Sequence, residues 1–325
     1  MNIAGAALRV LLLAMAALAC GVPAALAENF PSRPIHLILP YAPGGVIEFV
    51  GRTLSQKLGE VLGQPVVVED RPGAGSIVGI DYVVRAAPDG YTIVLADPAI
   101  VTNPTLHTSL PYDLFKDLAP ISIVATAPEV LVVAPQLGVK THAALLAYGK
   151  ANPGKLYYAS AGIGSPPHLA AEMWKAQAGI DATHVPYKGT GPAFIDVMSG
   201  KVQMAFSSLP AAMPFMSKGN LVAIATTGLG RTPMYPDLPT VAELLPGYVV
   251  DVWLGIYGTA GTPPDVLATL NSGLDKALRD DQLKAAFATF GIEPRGTTLQ
   301  ESAAFTKDEY EKWRKVITDG HITLD

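Results

Sequence analysis

An α/β fold of two Rossmann-like lobes joined by two crossing strands is what this sequence predicts, on three observations. Short apolar runs alternate with helical apolar periods as a βαβαβ series, and a second such series follows residue 126. Two apolar runs lead out of the first series, and a long apolar strand, Tyr248 to Tyr257, leads back, so the chain crosses twice. The strand-to-helix turns are rich in glycine, and they aim helix starts past the carboxyl ends of strands, where open α/β sheets hold ligands.

Ile35 to Leu39 is a buried strand stopped by Pro40. After the turn at Gly44-Gly45 the apolar period changes, and Val46, Phe49, Val50, Leu54, Leu58, Val61 and Leu62 share one helical face. A Val-rich strand ends at Glu69, and Asp70 to Ser76 turns into a helix with Ser76 as the expected N-cap. Tyr91 to Leu95 is the third strand. Asp97 to Pro120 reads as a long loop with at most a short helix. Ile121 to Thr126 and Val130 to Ala134 read as separate strands split by Ala127-Pro128-Glu129. Lys155 to Ala159, Ala182 to Val185, Val202 to Phe206 and Leu221 to Ala225 alternate with helices, and three helices close the chain from Pro264 onward. The expected division is 28–126 with 251–325 as one lobe and 127–250 as the other, the ligand cleft lying between them.

Of 325 residues, 50% are hydrophobic and 16% charged, a composition that supports large cores. A net charge of −5 without a Lys/Arg cluster argues against nucleic acid or an anionic membrane as partner. Arg9, the apolar run Val10 to Ala19 and Ala25-Leu26-Ala27 form an export signal with expected cleavage after Ala27. Cys20 is the alternative, lipidated end. Cleavage after Ala27 leaves no cysteine, hence no disulfide and no thiolate nucleophile. The six histidines share no metal-ligand spacing, so neither metal nor cofactor is expected. A nucleophile elbow and a Walker sequence are both absent. Gly73 to Gly79 spaces its third glycine one residue late for a dinucleotide fingerprint and reads as a tight turn.

Two turns carry the expected chemistry. Tyr41, Ala42, Pro43, Gly44 and Gly45 lead into Ile47 and Glu48 at one helix start, and Ser160, Ala161, Gly162, Ile163 and Ser165 lead into His168 at another. Each helix start presents backbone N–H groups worth about half a positive charge. Two facing each other would hold a carboxylate without an arginine. Tyr187 and Lys188, on a strand end followed by two glycines, are candidates for the same cleft, and Asp97 and Glu48 would oppose a second carboxylate beside them.

The ordered motifs P-S-R-P-I, P-Y-A-P-G-G, G-Q-P-V-V-V-E-D-R-P-G-A-G, A-A-P-D-G-Y, L-P-Y-D, A-N-P-G-K-L, H-V-P-Y-K-G, L-P-T-V-A-E and G-T-P run through nearly all of the chain after residue 27. With S-A-G-I-G-S-P-P-H-L at 160–169, they resemble the tripartite tricarboxylate transporter substrate-binding proteins, the Bug-type receptors. The resemblance implies a type II periplasmic-binding-protein (Venus flytrap) architecture in the periplasm; a monomer is the simpler expectation. It implies that a small carboxylate is gripped by the turns at 42–48 and 160–165 and handed to a membrane permease. Against that pattern, Val46, Ile47 and Glu48 stand where a small residue, Thr or Ser, and Asp are usual, Ile163 where a polar residue is common, and Ser207 where an acidic or amide one is. An apolar or aromatic body on the acid is expected, and citrate is disfavoured. The alternatives are a ligand-sensing receptor feeding a signalling partner and a secreted α/β hydrolase. The latter would need a nucleophile or base with an orienting partner, and the sequence offers no such set.

Overall fold

The computed structural model describes residues 30–43 and 46–324. The expected signal segment with Cys20, and the glycines Gly44 and Gly45, lie outside the described residues.

β1 (Ile35–Leu39) pairs in parallel with β2 (Val66–Asp70) and β3 (Thr92–Ala96), linked by α1 (Val46–Leu62) and α2 (Ile77–Val84). α1 forms because its apolar residues recur at helical spacing; it buries Val50, Leu54 and Leu58 against Leu37 and Leu39. α2 starts differently from the expected cap. Ser76 has φ 77°, and its side chain makes no capping bond. The turn is instead closed by packing, since a Cβ on Gly79 would come within 2.9 Å of the Pro40 Cα and 3.0 Å of the Arg71 carbonyl oxygen. The late third glycine is therefore a helix-to-strand contact.

The segment expected as a long loop with at most a short helix contains one such helix, α3 (Ala99–Leu106). Pro104 and a polar stretch hid its periodicity, yet Ile100, Val101 and Leu106 are buried in the core. The two strands expected around residue 128 are one, β4 (Leu118–Val133). β9 (Asp251–Thr259) is its antiparallel partner from Leu118 to Pro128. From Glu129 onward β4 pairs with β7 (Met204–Ser208) and, from Val130, with β8 (Val222–Thr226). Pro128 sits where the partner changes, a place in a ladder where a missing N–H is tolerated.

The second series is completed by α4 (His142–Ala151), β5 (Leu156–Ser160), α5 (Pro166–Ala178), β6 (Ala182–Pro186), α6 (Thr190–Met198) and α7 (Leu209–Met216). The return through β9 leads to α8 (Pro264–Leu278), α9 (Asp281–Ala288), β10 (Glu293–Pro294) and α10 (Leu299–Asp319). The strand order is β2-β1-β3-β9-β4-β7-β5-β6, with β8 and β10 also on β4. Two Rossmann-like lobes thus share one curled sheet, crossed by β4 and β9.

α10 ties the crossing together. The Trp253 indole in β9 and the Trp313 indole in α10 both donate to Glu309 Oε2 at 3.0 Å, and Lys312 binds the other Glu309 oxygen.

Candidate functional site

A cavity of about 400 Å³ opens where the first turn of α3, the turn after β5, the start of β9 and the chain's last helix converge. Its size falls in the range usual for small-molecule sites. Leu106, Ile163, Leu169, Val250, Trp313 and Leu324 supply apolar wall, and Tyr41, Asp97, Thr102, Asn103, His107, Ser165 and Asp251 supply polar groups. Among the described residues, no lysine or arginine lines it.

The Asp97 carboxylate ends β3 and sits at the start of α3. It accepts from the Tyr41 hydroxyl at 2.9 Å and from the Ala99 N–H at 3.1 Å. Asp97 is thus itself the anion at this helix start. Burial holds its carboxyl above the usual range despite these bonds, and burial beside Asp97 raises the Tyr41 hydroxyl far above its ordinary value. Asn103 donates to the Gly75 carbonyl at 2.9 Å, which fixes Ala74 and Gly75 in the wall.

The turn from Ala161 to Ser165 forms the facing wall. Its amides are not the free cluster that the sequence suggests. The Gly162 N–H donates to Ser160 Oγ at 3.1 Å, the Gly164 N–H to His168 Nδ1 at 3.0 Å, and the Ser165 N–H to the Gly162 carbonyl at 3.2 Å. Pro166 and Pro167 open α5 and have no N–H to offer. Ser165 does not cap the helix; its hydroxyl donates to the Gly162 carbonyl at 2.7 Å. Among the described residues, the Ile163 N–H is the turn's unspent donor between Gly162 and Ser165. Gly162, at φ 138°, takes a backbone shape that few other residues adopt.

Behind the turn lies a stack of rings. His168 and His184 stand face to face at 3.9 Å, and Tyr158 covers His184 at 4.9 Å. His184 Nε2 and Ser160 Oγ share a hydrogen bond of 2.7 Å, and Tyr158 donates to Glu172, which also holds Lys175 at 2.8 Å. Burial pushes both histidines down to about 4, so both are neutral at physiological pH. Neutral His168 keeps Nδ1 as an acceptor. His168→Leu therefore orphans the Gly164 N–H and is expected to cost about 1–3 kcal/mol. His168→Asn can place Oδ1 near the Nδ1 position and is expected to retain more stability than Leu. Urea unfolding checks the order; Leu above Asn would refute the acceptor role.

The other expected site residues stand elsewhere. His168 lies behind the wall, and Ser160 is buried beside it. Ile47 packs against the first-lobe core, and Glu48 pairs with Arg52 at 2.7 Å. Ala42 and Pro43 are exposed outside the cavity lining. Tyr187 turns to Asp196 at 2.8 Å, Lys188 points to solvent, and Ser207 is buried in β7 with its hydroxyl unpartnered. The walls that the sequence reading missed, Asp251, Trp313 and Leu324 above all, come from segments far along the chain and carry no local signal.

No group of three or more potential metal ligands occurs among the described residues. No helix among them is long and apolar enough to cross a membrane.

The family profile described as tripartite tricarboxylate transporter family receptor matches residues 50–322. The chain belongs to that family. BugT of Bordetella pertussis is 36% identical over 296 residues, covering 90% of this chain and 91% of BugT. Among solved structures, an R. palustris protein with adipate is 31% identical with a TM-score of 0.78, covering 91% of this chain and all of that one. MatC from Rhodopseudomonas palustris with bound malate is 28% identical with a TM-score of 0.72, covering 89% of this chain and all of that one. The chain is a solute-binding receptor of the two-lobe type, not an enzyme.

Proposed function

We propose that this receptor captures, in the cavity between β3, β5 and β9, an organic acid with one carboxylate and an apolar or aromatic body. It delivers that acid in the periplasm to the permease of a tripartite tricarboxylate-type transporter. The observation that carries the reading is the cavity's composition: mostly apolar wall, two aspartates, and no cation among the described residues. A second carboxylate would meet Asp97 or Asp251 without a counter-charge. The acid group itself falls to backbone and hydroxyl donors such as the Ile163 N–H and Thr102. The proposed lobes are 28–126 with 251–325, and 127–250, and they close over the acid as a monomer.

A thermal-shift screen of mono- and dicarboxylates tests this. A ligand at a hundred times its Kd is expected to stabilise the folded protein by about 2.7 kcal/mol. Apolar monocarboxylates are expected to exceed dicarboxylates. Small-angle scattering on the same samples is expected to show a smaller radius of gyration with ligand. Preference for citrate or malate over every monocarboxylate would overturn the ligand reading, and an unchanged radius would overturn closure.

A further inference from the structure

The two aspartates in the cavity wall differ in what answers them. Asp97 is met within its own lobe by the Tyr41 hydroxyl and the Ala99 N–H. Asp251 opens β9 opposite Pro128, at the strand crossing, and its carboxylate makes no hydrogen bond or ion pair among the described residues. The charged groups around it are Lys312 and Glu309 on α10, Glu293 on β10, Arg295 beyond it, and Glu129 on β4. Lys312, the cation acting most strongly on it, is already held by Glu309 and the Val249 carbonyl. Glu129 is 1% exposed, and its Oε2 has no partner. The crossing therefore sets Asp251 in the cavity wall among other acids, without a donor of its own among the described residues.

Asp251 is half-buried in a mostly apolar wall, so its carboxylate is partly desolvated with no protein donor, and whichever group supplies a donor recovers that cost. We propose that the ligand supplies it: the far end of the acid carries a hydrogen-bond donor, above all an ammonium, seated on Asp251. This rests on the receptor reading above and narrows its substrate class to amino-bearing monocarboxylic acids with an apolar spacer. Asp251 is then the residue that sets specificity against dicarboxylic acids of equal length.

The charge environment gives the proposal a second readout. Burial pushes the Asp251 carboxyl up to about 6, and burial beside Asp251 pushes Glu129 up to about 8. An ammonium on Asp251 favours its ionised form, so binding of the amine expels protons. Affinity for the amine-bearing acid then falls as pH drops through about 6.

The test is calorimetry on the intact receptor with two matched series. The first is ε-aminocaproate, heptanoate and adipate; the second is para-aminomethylbenzoate, para-ethylbenzoate and terephthalate. In at least one series the amine is expected to bind about tenfold or more tighter than the methyl-ended acid, and the dicarboxylate weakest. Titration at about pH 6 in two buffers of different ionisation enthalpy is expected to report proton release for the amine alone. Asp251→Asn, close in shape, is expected to erase the amine's advantage and its proton release while leaving the methyl-ended acid bound. Methyl-ended acids binding as tightly as their amines in both series overturn this proposal and leave the receptor reading standing. An amine advantage that survives Asp251→Asn overturns the role of Asp251. If none of the six acids binds, the proposal falls together with the acid-receptor reading.

Discussion

Trp253→Ala is expected to destabilise the protein by about 3–5 kcal/mol, in the range for deleting a buried tryptophan. Trp253 is 1% exposed, stacks edge-on against Phe305 at 5.3 Å, and donates to Glu309. The change therefore opens a void at the strand crossing and takes one donor from the half-buried Glu309 carboxylate. With domains stable by only about 5–15 kcal/mol, the loss is a large share of the total. Guanidinium unfolding followed by circular dichroism measures it. A cost under about 1 kcal/mol would mean that the site collapses around the gap, and that α10 does not depend on this indole.

The second large effect is a pH dependence with an unusual sign. Glu129 is buried, and its carboxyl is pushed from 4.5 up to about 8 by burial and by Asp251. A group whose folded value lies above its unfolded one keeps its proton in the native state while the unfolded state loses it. Stability from this group is therefore greatest below about 4.5 and declines as pH rises toward about 8. Each unit of separation is worth about 1.4 kcal/mol, so the full decline is of order 5 kcal/mol. His168 and His184, pushed down to about 4, act oppositely on acidification below about 6.5. The comparison that isolates Glu129 is the difference between Glu129→Gln and wild type. The variant is expected to match wild type near pH 4.5 and to be the more stable by a few kcal/mol above pH 8. A difference that stays constant with pH would show that Glu129 is not held protonated.

What could be read in the sequence was local. Ile35 to Leu39 and the face of α1 announce themselves by apolar spacing, and the glycine turns mark the ends of strands. β4 did not, because Pro128 and Glu129 look like an interruption until β9 on one side and β7 and β8 on the other are seen to share a single strand. α3 was hidden by Pro104. At the site, Tyr41, Asp97 and the turn at 161–165 were legible because each ends a strand. How the turn spends its N–H groups was not, since that depends on His168 and Ser160 side chains folding back onto it. Asp251 was beyond reach for the opposite reason: it opens a strand rather than ending one, and only the crossing brings it to the cavity. Glu129 did carry a clue, an acid set against the run Val130 to Val133, which a solvent-facing strand would not need.

The change of partners within β4 has a mechanical consequence. Its first part is fastened to β9 and its last part to β7 and β8, with Pro128 opposite Asp251 at the join. A narrow ribbon of hydrogen-bonded strands resists stretching and in-plane shear but yields to bending and twist. Such a join behaves as a leaf spring rather than a pin, storing elastic energy when flexed and returning it when released. In the closure proposed above, the ribbon sets the resting angle and the ligand pulls against that spring to hold the lobes together.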